Sequence, residues 1–175
     1  MLAIIQARLS SKRLPFKVLR ELNGEPLIMH VLKRVLRSNL VERTIIATSS
    51  KKTDDKLTDY LSDKKISFYR GSLENVAERM LGCAKKLGAE EFIRINGDSP
   101  LIDPMIIDKA ILLNKKDNYD LCTNVLTRTF PKGQSVEIIK TEILNKHIKS
   151  FSKTEKEHVT EFFYKNANKF KIKNF

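Results

Sequence analysis

The sequence predicts an α/β sandwich built on a mostly parallel sheet. Two observations carry that reading: apolar residues switch repeatedly between strand and helix periodicity along the chain, and short buried runs are each followed by an amphipathic stretch. A third sets the scale. With 175 residues, 41% hydrophobic and 31% charged, the expectation is one compact domain with a sizeable core.

The elements follow in order. Leu2–Ala7 reads as a buried strand, and Pro26–Arg37 as a helix with Leu27, Val31, Leu32 and Val35 on one face. Arg43–Thr48 is the next strand. Thr53 is expected to cap a helix whose first turn holds Asp54 and Asp55, where negative charge suits the positive end of the helix dipole. Ile66–Tyr69 is a short strand, and Leu73–Leu87 a helix burying Val76, Met80, Leu81 and Ala84 before Gly88 ends it. Glu91–Ile95 is a strand. Asp103 followed by Pro104 is a helix cap with proline at the first helical position, opening a helix through Ile106, Ile107, Ala110 and Ile111. Tyr119–Thr123 and Ser135–Ile139 read as strands, with helices near Thr141–Ser150 and Thr154–Asn166.

Composition narrows the functional classes. The longest apolar runs are about four or five residues, far below the ~20 that span a bilayer, and the N-terminus lacks a signal-peptide layout, so the expected location is cytoplasmic. Cys83 and Cys122 have no metal-ligand spacing and read as buried thiols. The net charge of +12 is concentrated at the two ends of the chain. Nucleic acid is one partner for such charge, but no zinc-finger, basic-zipper or aromatic RNA-binding signature is present. A small polyphosphate suits the N-terminal cluster better.

In open α/β sheets ligands bind beyond the carboxyl ends of the strands. Arg8–Lys17, Thr48–Asp55, Asn96–Asp103 and Thr123–Gln134 are the segments expected there. The first of them, ARLSSKRLPFK, contains no glycine and is not a P-loop. Its cations must therefore do the gripping: Arg8 and Arg13 as bidentate guanidiniums, Lys17 as a point charge, with Ser10 or Ser11 donating hydrogen bonds. A solvated basic loop is the plainer reading of the same residues. In INGDSPLID, Asp98 lies just past a buried strand, where one carboxylate together with water and nucleotide phosphate can hold Mg²⁺. Taken alone it is also an ordinary turn former after Asn96 and Gly97. A cationic loop and a metal-ready carboxylate on one sheet edge are what phosphoryl or nucleotidyl transfer requires.

The segments QARLSSKRLPFKVL, NGEPLI, IATSSKKTDDKL, FYRGSLENVAERM, RINGDSPLIDP, YDLCTN and EHVTEFFYKN, in this order, resemble the cytidylyltransferase family, and within it the spore coat polysaccharide biosynthesis protein F branch. The resemblance runs through essentially the whole chain. It implies a Rossmann-like three-layer α/β/α sandwich of the nucleotide-diphospho-sugar transferase fold, often dimeric. It also implies a reaction in which the hydroxyl of an acidic sugar attacks the α-phosphate of CTP, with Mg²⁺ assistance, for surface polysaccharide synthesis. Under it, Arg8, Ser11, Arg13 and Lys17 match the loop around the triphosphate, and Asp98 matches the metal aspartate. Arg8, Lys17 and Asp98 are then the catalytic set. Thr48, Ser49, Arg70, Gly71 and Ser72 fall in segments lining the nucleotide pocket of relatives; the same five read equally as turn and cap chemistry. Asn124, Glu137 and His158 fall near the acceptor sugar. For Glu137 a solvent-facing strand position, and for His158 a packed or capping role, are the alternatives.

Departures from the pattern are equally specific. Phe16 stands where glycine is usual, either altering the backbone or packing outward, and Ser135 replaces an aspartate. The family pattern continues past Phe175 with a segment supplying a second acidic residue near the metal. The expectation is therefore a C-terminally shortened member that keeps nucleotide binding, with a non-catalytic or partner-completed nucleotide-binding module as the alternative.

Overall fold

The structure, a computed structural model, describes residues 1–11 and 14–175. Lys12 and Arg13 lie outside the described residues, and with them the expected phosphate contact of Arg13.

Seven strands form the main sheet: β1 (Leu2–Gln6), β4 (Arg43–Ser49), β5 (Phe68–Gly71), β6 (Glu91–Asn96), β7 (Leu121–Thr123), β8 (Glu137–Lys140) and β9 (Ile172–Asn174). A small hairpin, β2 (Glu21–Leu22) with β3 (Glu25–Pro26), precedes the first helix. The order across the sheet is β5-β4-β1-β6-β8-β7-β9. β5, β4, β1 and β6 pair in parallel, β8 is antiparallel to both its neighbours, and β9 pairs parallel to β7. The sheet is thus mostly parallel, as the alternating pattern predicts.

Helices cover both faces because the central strands are apolar on both. On β1, Ala3 and Ile5 enter one core while Leu2 and Ile4 enter the other. The first core receives Val31 and Val35 of α1 (Leu27–Val35), Leu57 and Leu61 of α2 (Asp55–Asp63), and Ile107 and Ile111 of α4 (Pro104–Asn114). The second receives Met80 and Ala84 of α3 (Val76–Lys86), Leu144 of α5 (Thr141–His147) and Phe163 of α7 (Glu161–Lys165). Three layers result. Both cysteines sit inside them, and burial pushes the Cys83 thiol up to about 12 and the Cys122 thiol up to about 11, so neither forms a thiolate near neutral pH. Among the described residues, no helix is long and apolar enough to cross a membrane.

Several boundaries differ from the sequence expectation, each for a tertiary reason. Thr53 is no helix cap: it lies inside a 3-10 turn, Lys52–Asp54, and α2 begins after Asp54. The expected helix over Thr154–Asn166 is two helices, α6 (Lys153–Glu157) and α7, broken at His158–Thr160. The break lets the Thr160 hydroxyl reach Glu137 on β8. A capping box between Ser152 and Glu155 fixes where α6 starts. β9 was not legible as a strand, because three half-buried residues at a sheet edge carry too little periodicity.

Candidate functional site

A cleft of about 690 Å³ opens beyond the carboxyl ends of β1 and β6. Its walls are the loop after β1 (Arg8, Ser10, Ser11, Lys17), the turn after β6 (Asp98), the start of α3 (Leu73, Glu74, Arg79) and α6 with its C-terminal turn (Lys153, Glu157, His158). Arg8, Ser11, Lys17, Asp98 and His158 are therefore brought together, although they span most of the sequence.

Local geometry explains why. Gly97 donates its N–H to the Gln6 carbonyl at 2.8 Å, and a Cβ on Gly97 would stand 2.7 Å from that same oxygen. Only glycine permits so close an approach, and the tight turn delivers Asp98 next to the β1 loop. There the Asp98 carboxylate accepts from Lys17 Nζ. Arg8 Nη2 donates to Glu157 Oε1 at 2.8 Å across to α6. The loop itself is closed by Phe16, whose N–H donates to the Leu9 carbonyl at 2.9 Å. Phe16 adopts φ 59°, a left-handed conformation that glycine takes freely and phenylalanine takes at a cost of roughly 1 kcal/mol. The ring turns outward with Lys56 Nζ over it at 5.7 Å, so of the two sequence alternatives the structure shows outward packing, on a backbone conformation that glycine also takes.

Asp54 holds this loop to the sheet. Fully buried, its carboxylate accepts from the Leu9 N–H at 2.7 Å, the Ser49 N–H at 3.1 Å, and the hydroxyls of Thr48 and Ser49. Sequence reading treated Asp54 as helix-dipole chemistry. Its real partners are nonlocal, and nothing in one sequence signals a bond to Leu9. Asp54→Asn retains the shape but turns an amide NH₂ toward groups that are themselves donors. The expected loss is about 3 kcal/mol of stability, from one or two buried donors left unsatisfied, read as a lowered urea midpoint at unchanged slope.

A family model described as cytidylyltransferase matches residues 2–174. The chain belongs to the cytidylyltransferase family. Spore coat polysaccharide biosynthesis protein SpsF of Bacillus subtilis is 33% identical over 165 residues, covering 91% of this chain and 68% of its own. The 3-deoxy-manno-octulosonate cytidylyltransferase of Geobacter sulfurreducens is 34% identical over 111 residues, covering 62% of this chain and 43% of its own. A solved cytidylyltransferase from Leptospira borgpetersenii superimposes with a TM-score of 0.93 at 30% identity, over 99% of this chain and 74% of that one. The fold is accordingly the Rossmann-like α/β/α sandwich of these transferases, and the family is one that uses CTP.

Within this cytidylyltransferase fold the other sequence-predicted residues that the structure describes sit outside the cleft lining. Thr48 and Ser49 are buried and engaged with Asp54. Arg70 braces the turn after β4, donating to the Ser49 carbonyl at 3.0 Å, the Lys51 carbonyl at 2.9 Å and Asp55 Oδ1 at 2.7 Å. Gly71 packs under α3: a Cβ there would lie 2.9 Å from Arg79 Cγ. Ser72 accepts the Asn75 N–H at 3.0 Å through its hydroxyl. Asn124 is buried, donating to the Gln134 carbonyl and accepting the Val136 N–H, which ties the long loop between β7 and β8.

Glu137 corrects one expectation outright. It is not a solvent-facing strand residue but 2% exposed, accepting from Arg94, from the Thr160 hydroxyl at 2.6 Å and from the Tyr164 hydroxyl at 2.6 Å. Burial and the Glu137 charge push the Tyr164 phenol well above its usual range, so it remains a donor. Arg94 completes the network through Gln6 Oε1 at 3.0 Å, and Gln6 and Arg94 themselves line the cleft. This assembly forms the polar floor. Its signal in the sequence was the lone cation of EFIRI, a charged residue set between the isoleucines Ile93 and Ile95.

Proposed function

We propose that this chain binds CTP in the cleft after β1 and β6 and transfers CMP to the hydroxyl of an acidic sugar destined for a surface polysaccharide, releasing pyrophosphate. The observation that carries the proposal is the meeting of Lys17 with Asp98 at one edge of the cleft. The basic loop and the candidate metal aspartate, 81 residues apart, share one site. The family match and the curated relatives named for polysaccharide and octulosonate chemistry support the substrate classes.

Magnesium fits the donor set as a substrate-borne ion. Among the described residues no cluster of three or more acidic, histidine or cysteine ligands is present, and Asp98 offers a single carboxylate whose side chain is 42% exposed. Mg²⁺ characteristically uses one or two carboxylates, several waters and substrate phosphates, so Asp98 would hold an ion already chelated by the triphosphate. When bound it would neutralise phosphate charge. The chain's own residues do the rest. Arg8 and Lys17 exchange their carboxylate partners for phosphate oxygens, lowering the repulsion that an incoming sugar hydroxyl meets at the α-phosphorus. As the sugar oxygen bonds to the α-phosphorus, the bond from that phosphorus to the β-phosphate oxygen breaks, pyrophosphate leaves and the hydroxyl proton passes to solvent. His158, exposed in the turn after α6, stands on the wall open to an acceptor.

The test mixes the protein with CTP, Mg²⁺ and a panel of nonulosonic and ketodeoxyoctonic acids and measures pyrophosphate. Release with at least one acid, and with CTP over the other nucleoside triphosphates, is expected. CTP binding with no release for any acid would overturn the enzymatic reading and leave a nucleotide-binding module.

A further inference from the structure

Arg79 is the cleft residue that sequence reading missed and that no assigned role accounts for. It sits on α3 between the core positions Val76 and Met80, 2% exposed, yet it lines the cleft. A guanidinium carries five N–H donors. Among the described residues, the hydrogen bond it makes is from Nη1 to the Ser72 carbonyl at 2.7 Å, and its buried Nε–H has no acceptor. Among the described residues it forms no ion pair, Asp54 acting on it only through space, whereas Arg8, Lys17 and Arg94 are paired with Glu157, Asp98 and Glu137. Burial, with Arg8 nearby, pulls its pKa down to about 10, which leaves it charged at neutral pH. A second orphan belongs to the same wall: among the described residues the Ser10 hydroxyl is buried without a partner, and Ser10 also lines the cleft.

A buried cation with an unsatisfied donor is costly unless an anion completes it. Everything else about the position holds the side chain in place. Gly71 leaves room for its stem, and the Ser72 carbonyl orients the guanidinium. Resting on the reading of the cleft as a nucleotide site, we propose that Arg79, outside the basic loop, joins Ser10 within it to form a further anion contact that takes the phosphate chain of the bound nucleotide. A phosphate chain is favoured over a sugar carboxylate by charge. Arg79 meets the like charges of Arg8 and Arg94, which nearby Asp54 offsets in part, and a phosphate chain brings several negative oxygens to that cluster where a sugar carboxylate brings one charge.

The experiment is calorimetric titration of the wild type, Arg79→Met, Arg79→Lys and Ser10→Ala with CTP, CMP, cytidine and inorganic pyrophosphate. Arg79→Met should weaken CTP and pyrophosphate by roughly tenfold to a hundredfold, the scale of a lost charged hydrogen bond, with a smaller effect on CMP and none on cytidine. Arg79→Lys, which keeps the charge but loses Nε–H and the fork, should fall between, and Ser10→Ala should weaken CTP several-fold. If Arg79→Met does not fold, Arg79→Lys and Ser10→Ala carry the test. Equal CTP and pyrophosphate affinities in wild type and variants would overturn this inference alone. An equal loss for cytidine and CTP with pyrophosphate unchanged would also overturn it, making Arg79 a support for the base or the Ser72 turn. A wild type that binds neither CTP nor pyrophosphate would remove both this inference and the proposed function.

Discussion

Replacing Glu137 by leucine lowers the stability of the fold by about 3–5 kcal/mol, the range for breaking a buried ion pair from one side. The cause is what remains behind. Arg94, with its side chain 10% exposed, keeps its charge and loses its carboxylate, while the Thr160 and Tyr164 hydroxyls lose their acceptor. The Thr160 bond also holds the break between α6 and α7, so Glu157 and His158 on the cleft wall become less well positioned. Urea denaturation gives the magnitude. The double variant Arg94→Met with Glu137→Leu separates the causes: it should recover much of the loss, because no unpaired charge is then buried. If the single variant unfolds at the wild-type midpoint, the network is not a structural strut and Glu137 regains its candidacy as a ligand group.

Asp98→Asn is expected to cut pyrophosphate release by at least about a hundredfold, the equivalent of some 2.7 kcal/mol of transition-state stabilisation, while leaving the unfolding midpoint nearly unchanged. Its carboxylate lies in a partly exposed turn, and Lys17 is its side-chain partner, so little folding energy is at stake. The more telling readout is binding. Wild-type affinity for CTP should rise with Mg²⁺, and the variant should lose that dependence. Without Mg²⁺ the variant should bind CTP at least as well as the wild type, since Lys17 no longer has a competing carboxylate. An unaltered Mg²⁺ dependence would return Asp98 to the role of a turn residue.

How far the sequence went can be judged residue by residue. The core strands Leu2–Gln6, Arg43–Ser49 and Glu91–Asn96 and the cap at Asp103 were legible because their signals are local: a run of β-branched residues, or an aspartate directly before proline. The loop after β1 and Asp98 were legible by motif and by the rule that ligands gather at strand carboxyl ends, and the structure sets them within hydrogen-bonding contact. Arg79 and Arg94 left a fainter trace, a cation on a helix or strand face otherwise apolar, and sequence reading passed over both. Asp54 left none. A carboxylate directly after a predicted helix cap looks like dipole chemistry until the chain brings Leu9 to it.

By itself, then, the sequence determined the layers, the strand and helix types and the edge of the sheet that carries the candidate site, because periodicity and turn residues act over distances of a few residues. Tertiary structure alone decided which polar groups are struts and which are free. Thr48, Ser49, Asn124 and Glu137 are all consumed by partners that folding delivers, while among the described residues Arg79 and Ser10, both in the cleft wall, are left with buried unsatisfied donors. The physical reason is that a hydrogen-bonding group is defined by what lies within about 3 Å of it, and those neighbours come from sequence positions that no local pattern connects.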